Sequence, residues 1–128
     1  MNNHEGDNML SQMPEDRYIK VGNLRTRYWA LGDKGTPVIL IHGLGASADI
    51  WMYNVAALAK QHRVYALDLV GFGRSDKPEP SFSPLDYTPF LDDFINTLNM
   101  DGVNLVGQSL GGGIALHYAI QFPKKVNK

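Results

Sequence analysis

Hydrophobic and polar positions change period several times along this chain, and each change marks an element. Tyr18 to Val21 and Leu24 to Leu31 flank Gly22-Asn23, a two-residue turn signal, and predict a β-hairpin. Gly32 to Thr36 breaks the pattern. Pro37-Val-Ile-Leu-Ile-His42 is a short continuous apolar run, which suits a central strand covered on both faces, as in a parallel sheet. The loop Gly43 to Ala48 leads to Asp49, a helix-capping residue. A helix ending near Gln61 is expected after it, with Ile50, Val55, Leu58 and Ala59 on its apolar side. Val64 to Leu69 predicts a second buried strand. Leu91, Phe94, Ile95 and Leu98 recur at helical spacing, so residues 88–99 read as an amphipathic helix closed by Asp101-Gly102. Val103 to Gly107 is a third short strand, and residues 110–122 form an apolar helix that stops at Pro123. Lys125-Val126-Asn127 reads as the approach to one more strand.

Strands that alternate with helices imply right-handed crossovers and a parallel sheet. The expected class is α/β: a mostly parallel sheet with flanking helices and an antiparallel amino-terminal hairpin. Residues 1–16 are polar and are expected to form a flexible tail, with residues 17–128 as the folded part. Residues 70–86, VGFGRSDKPEPSFSPLD, make a Gly/Pro-rich loop too long for mere connection, which marks it as functional.

Composition narrows the function classes. The chain has 128 residues, 44% of them hydrophobic, which suffices for the core of one domain. Lys+Arg 12 against Asp+Glu 13, with no basic run, leaves no electrostatic footprint for nucleic acid. Without cysteine there is no disulfide, thiolate catalysis or Cys-based metal site. The start lacks the basic and apolar regions of a secretory signal, and no apolar run approaches the roughly 20 residues of a membrane span. A cytoplasmic location without a membrane span is therefore expected, and no cofactor or metal is implied.

Gly107-Gln108-Ser109-Leu110-Gly111 matches G-x-S-x-G at the end of one predicted strand and the start of the next helix. A serine on so sharp a turn is forced into a strained backbone, and the residues two places to either side must lack side chains. Gly107 and Gly111 meet that need, while Gly112 and Gly113 leave room for close approach of another chain or a substrate. The bland alternative is a glycine-rich helix start with an incidental serine.

Three motifs stand in order: HGLGAS at His42 to Ser47, DLVGFGRSDKP at Asp68 to Pro78, and GQSLGG at Gly107 to Gly112. Together they resemble the amino-terminal half of the α/β-hydrolase superfamily, over about residues 17–128. The resemblance implies Ser109 as nucleophile. It also implies an oxyanion hole from the backbone N–H groups of Leu44 and Leu110, with His42 and Gly43 supporting the loop. Relatives with the GFGRSDKP style of loop that are dehalogenases or epoxide hydrolases carry aspartate at the nucleophile, whereas this chain has Ser109. A serine hydrolase of small-molecule esters or related acyl compounds, with carbon–carbon bonds included, is the implied activity.

A serine hydroxyl needs a histidine oriented by a carboxylate. Downstream of Ser109 there is no Asp or Glu, and the only histidine is His117. Eight residues of helix rise about 12 Å, so His117 is out of reach of the hydroxyl and reads as a packing or surface residue. His4 and His62 read as surface residues. Asp68 is expected to brace the turn after its strand, with Arg74, Ser75 and Asp76 bracing the loop. Trp51 and Tyr53 read as core aromatics. The chain is thus expected to be inactive or incomplete, needing an acid and a histidine from elsewhere. An uncovered sheet edge would favour self-association or a complementing chain.

Two other classes fit parts of the text. Gly43-Leu-Gly45-Ala-Ser-Ala48 after a strand, with Asp68 twenty residues beyond Ala48, satisfies the terms of a dinucleotide-binding fingerprint. A non-catalytic fragment or interaction module is the third reading.

Overall fold

A computed structural model describes residues 14–128, and residues 1–13 of the expected tail, His4 among them, lie outside the described residues. The hairpin forms as β1 (Arg17–Val21) and β2 (Leu24–Leu31), antiparallel, with Val21 opposite Leu24 across the turn. Three further strands follow: β3 (Pro37–Ile41), β4 (Arg63–Leu67) and β5 (Asn104–Gly107). They join the hairpin in one sheet of order β1-β2-β4-β3-β5, antiparallel between β2 and β4 and parallel through β4, β3 and β5.

The continuous apolar run of β3 is explained by its place between β4 and β5, where all five residues are buried. Its side chains alternate between two cores. Ile39 and Ile41 face a layer that includes Phe94, Ile95 and Tyr118, whereas Val38 and Leu40 face Trp29, Val55 and Ala66. The larger core is closed by α2 (Tyr87–Thr97) and α3 (Leu110–Gln121), the smaller by the short α1 (Val55–Leu58) and the 3-10 turn before it. The helix expected over 88–99 is α2, and its buried positions are Phe90, Leu91, Phe94 and Ile95 with Tyr87 and Thr88 at the start. Asp92 ties its outer side to the end of the chain. Its carboxylate accepts from Tyr118 Oη and Lys125 Nζ, both at 2.8 Å. After Pro123, Val126 pairs in parallel with Val103, so the expected approach to another strand is seen as a single bridge.

The first helix departs from expectation. In place of one helix from Asp49 to Gln61, a 3-10 turn at Ala48–Trp51 is followed by the single turn of α1. Ser47, not Asp49, takes the cap, its Oγ accepting from the Asp49 N–H at 3.2 Å. Asp49 is drawn elsewhere, since its carboxylate lies 2.8 Å from Arg27 Nη2. Tyr53 is 71% exposed rather than core, because the interrupted helix turns it off the sheet, whereas Trp51 is half-buried and packs against the smaller core.

Arg27 is the buried centre of this region, 2% exposed on the second strand of the hairpin. Its guanidinium meets Asp16 at 2.7 Å, Asp49 at 2.8 Å and Asp68 at 3.1 Å. Burial alone would weaken its hold on a proton, but the hydrogen bonds of Asp16 and Asp49 and the charge of Asp68 raise it above the usual arginine range. Asp16 responds in the opposite sense. Burial pushes its carboxyl up, but bonds from Trp29 and Arg27, with the charge of Arg74, hold it below its ordinary value.

Removing the cation leaves three carboxylates facing one another, with Asp68 wholly buried and without a counter-charge. Arg27→Met is expected to cost about 3–5 kcal/mol, read as a lower urea midpoint at pH 7. A folded-state carboxyl that titrates below its unfolded value adds stability above that value, and the addition is lost as pH falls through the folded pKa. The Asp16 contribution should therefore be complete at neutral pH and fade below about pH 4 in the parent, and be smaller in Arg27→Met, where only Trp29 and Arg74 still hold the carboxylate.

Candidate active site

Ser109 sits between β5 and α3 with φ 57° and ψ −118°, a backbone region that side-chain-bearing residues rarely occupy. Two glycines permit it. A Cβ at Gly107 would collide with the Gly111 carbonyl, and a Cβ at Gly111 would collide with the carbonyls of Ile41 and His42. The elbow is thereby pressed onto the end of β3, where the Gln108 N–H donates to Ile41 O at 3.0 Å. Gly43 completes the fit, since a Cβ there would come within 3.0 Å of both the Gln108 carbonyl and Ser109 Cβ.

Ser109 is exposed on the rim of an apolar cleft of about 380 Å³, walled by Leu44, Phe72, Phe82, Tyr87 and Leu110. Leu44, 76% exposed, lies in the loop after β3, and Leu110 opens α3. Among the described residues neither the Leu44 N–H nor the Leu110 N–H donates to another group. For Leu110 this is the ordinary consequence of a first helical turn, whose N–H groups have no partner within the helix. Leu44 and Leu110, one from each flanking segment, thus border the cleft on which the serine opens.

His42 is wholly buried and both of its ring nitrogens are engaged. Leu69 N–H donates to Nε2 at 2.9 Å, so Nδ1 carries the proton and donates to the Gly43 carbonyl at 2.7 Å. Burial drives its pKa below the ordinary value, against smaller opposing effects of the Gly43 carbonyl and Asp68, which keeps the ring neutral. Its place is structural: it ties the Gly43 loop to the segment after β4. Phe72 stands edge-on to it, with ring centroids 5.6 Å apart.

Asp68 braces more than its own turn. Its carboxylate accepts from Ala48 N–H at 2.7 Å and Arg74 N–H at 2.7 Å, besides the Arg27 guanidinium. Ser75 Oγ donates to the Asp68 carbonyl and accepts from Arg27 N–H, and Asp76 Oδ2 accepts from Arg25 N–H. These bonds use up Asp68, which leaves it no free oxygen for a ribose hydroxyl. The Gly43–Ala48 loop opens onto a four-residue 3-10 turn rather than a long helix, so it offers no aligned helix N-terminus to a pyrophosphate. The dinucleotide reading fails on both counts.

His117 pairs its Nδ1 with Thr88 Oγ1 at 2.8 Å, half-buried two turns along α3 from Ser109. His62 bonds Thr36 at the start of β4, the opposite end of the parallel strands from Ser109. Among the described residues no group of three His, Asp or Glu side chains is placed to hold a metal, and no helix is long and apolar enough to cross a membrane.

Reading the sequence missed the Arg27 cluster and the aromatic wall. Phe72 and Phe82 were visible as the only aromatics of the 70–86 loop, but nothing local to Arg27 announces three carboxylates that arrive from positions 16, 49 and 68.

The family model described as alpha/beta hydrolase fold matches residues 36–128. The chain is 40% identical over 116 residues to a 2-hydroxy-6-oxo-6-(2'-aminophenyl)hexa-2,4-dienoic acid hydrolase of Metapseudomonas resinovorans, covering 88% of this chain and 40% of that protein. It is 28% identical to a human (lyso)-N-acylphosphatidylethanolamine lipase, covering 86% of this chain and 34% of that one. Among solved structures, a meta-cleavage product hydrolase from Pseudomonas fluorescens IP01 superposes with a TM-score of 0.82 at 33% identity, over 88% of this chain and 42% of that one. A membrane phospholipase A gives a TM-score of 0.87 at 29% identity, over 97% and 41%. The chain thus spans between about a third and about two fifths of the length of these relatives.

The strain at the elbow is directly measurable. Ser109→Gly should stabilise the fold by about 1–2 kcal/mol in urea unfolding, because glycine occupies φ 57° and ψ −118° without penalty. Gly107→Ala should destabilise it by about 1–3 kcal/mol or more, because the added methyl meets backbone that cannot move aside.

Proposed function

The chain belongs to the alpha/beta hydrolase fold family, and from that premise we propose that Ser109 is the nucleophile of a serine-type hydrolase acting on an ester or related acyl bond of a small molecule. The observation that carries the reading is the strained Ser109 opening on the same cleft as Leu44 and Leu110, whose N–H groups are unpaired among the described residues. Backbone strain at a polar residue is kept only where the surroundings over-determine it, and it concentrates at reacting groups. In the reaction Ser109 Oγ attacks the acyl carbon and passes its proton to a general base. The carbonyl oxygen takes up the charge beside Leu44 and Leu110, and the alcohol leaves with the proton. Each well-placed donor of this kind is worth about 3–4 kcal/mol of barrier. Water then releases the acid from the acyl-serine by the same route.

The base and its carboxylate come from outside residues 14–128. His42 has both nitrogens engaged, His62 lies at the far end of the strands, and His117 is about 12 Å of helix away from Ser109. The reading places them on a segment, from the same or another chain, that continues the sheet past β5. That edge carries the exposed Val106 and is already met by Val126 and by Lys128, whose carbonyl accepts from Leu105 N–H.

A tagged fluorophosphonate, read by mass spectrometry, tests this. The 128-residue chain alone should label slowly or not at all, and Ser109 should label once such a segment is supplied. Ser109→Ala should abolish the signal. Label on a different residue, or equal label in Ser109→Ala, would overturn the nucleophile. Rapid Ser109-dependent labelling of the chain alone would overturn the need for an outside base.

A further inference from the structure

The sheet ends at β1 on the side away from the elbow, and among the described residues no strand pairs with the outer edge of β1. The hairpin decides which backbone groups that edge presents. Val21 and Leu24 flank a two-residue turn whose first residue, Gly22, has φ 61°, so they exchange both ladder hydrogen bonds. Alternation along the strand then turns the N–H and C=O groups of Arg17 and Ile19 toward β2 as well, and those of Tyr18 and Lys20 outward. A second β1 laid antiparallel about a two-fold axis at Ile19 meets those groups. Tyr18 then stands opposite Lys20 of the second copy, and Lys20 opposite its Tyr18, each pair exchanging two hydrogen bonds. All five residues of the strand are paired in this register, Ile19 opposes Ile19, and no two like charges stand directly opposite. An axis at Lys20 would instead set lysine against lysine.

Charged residues on an edge strand ordinarily keep other strands away. Here the same register gives the arginine a seat. Arg17 of the second copy stands opposite Val21, and directly opposed residues share a face, so its side chain lies on the α2 side of the sheet, where Val21 packs into the larger core. A groove of about 430 Å³ opens there between the hairpin turn and α2, lined by Val21, Leu24, Phe82 and Phe90 and rimmed by Asp86 and Asp93. Asp86, Pro89, Phe90 and Asp93 recur at i, i+3, i+4 and i+7, which puts both carboxylates along one side of α2 and the turn before it. Both are exposed, and among the described residues no cation pairs with either. Arg17 is likewise exposed and pairs with no carboxylate among the described residues. The two-fold axis closes this contact twice.

From the outward groups of β1 and this charge match we infer that the β1 edge is a homodimer interface. A second copy of this chain adds its β1 antiparallel, which joins the five strands of each copy in one continuous sheet, and Arg17 of each copy enters the acid-rimmed groove of the other. The inference does not depend on the role of Ser109. It leaves the β5 edge, at the opposite end of the sheet, free for the segment that brings the base.

Sedimentation equilibrium and disulfide trapping on the whole chain test this. The parent should show a reversible monomer–dimer equilibrium. The chain has no cysteine, so Ile19→Cys places one thiol per copy at the two-fold axis, where non-hydrogen-bonded Cα atoms about 4.5 Å apart lie within disulfide range. Mild oxidation should convert Ile19→Cys to a covalent dimer and leave Val106→Cys, on the exposed β5 edge, mainly monomeric. Arg17→Glu should weaken the dimer about tenfold or more, because it sets an acid against Asp86 and Asp93, and adding Asp93→Arg should recover most of the loss. A monomer at every concentration up to the solubility limit overturns the inference. Association that Arg17→Glu leaves unchanged also overturns it, as does trapping at position 106 with none at position 19, which would assign association to the β5 edge. Weakening by Arg17→Glu that Asp93→Arg does not recover would overturn the seating of Arg17 in the groove.

Discussion

The buried pair of Arg27 and Asp68 is the interaction on which the site depends. Asp68 stands just past the end of β4, wholly buried, and its two oxygens reach the backbone of Ala48 on one side and of Arg74 on the other. Those are the two loops that wall the cleft at Ser109. A carboxylate in such a place is tolerable only with a cation against it, and Arg27 supplies one from the hairpin. The hairpin is therefore more than an edge to the sheet. It delivers the charge that lets one carboxylate hold two loops in register.

The elbow works by a different constraint, the close approach of bare backbone. Gly107, Gly111 and Gly43 let the turn at Ser109 settle against the end of β3, and the buried neutral His42 joins the Gly43 carbonyl to the Leu69 N–H. The backbone strain at Ser109 is thus held by packing that does not depend on Ser109 itself. Loops held by an ion pair and a turn held by backbone contact meet at one cleft. Their combination brings Leu44, Leu110 and the exposed Ser109 to one cleft, which is what the proposed acyl transfer requires.

Much of this was legible in the chain. The run Pro37 to Ile41, the helical spacing of Leu91, Phe94, Ile95 and Leu98, and the Gly22-Asn23 turn each specify their element through local periodicity, and each element stands within a residue or two of where the pattern puts it. The helix expected from Asp49 to Gln61 failed because its signal was local and its determinant was not. Asp49 would cap a helix in isolation, yet Arg27, 22 residues earlier, takes its carboxylate and Ser47 takes the cap. Tyr53 followed the same error, read as core from its place in a helix that is interrupted before it. The elbow was readable since glycine spacing is itself the steric requirement. The wall of the cleft was not, because Leu44, Phe72, Phe82 and Leu110 are brought together only by the fold.

Amide hydrogen exchange in Asp68→Asn against the parent chain tests the central claim most directly. Asparagine keeps the size but removes the charge that meets Arg27 and one of the two acceptor oxygens. If Asp68 holds the loops, the amides of Ala48 and Arg74 should exchange about tenfold faster or more, while Leu40 in β3 and Tyr65 in β4 keep their protection. Unchanged protection at Ala48 and Arg74 would contradict the account.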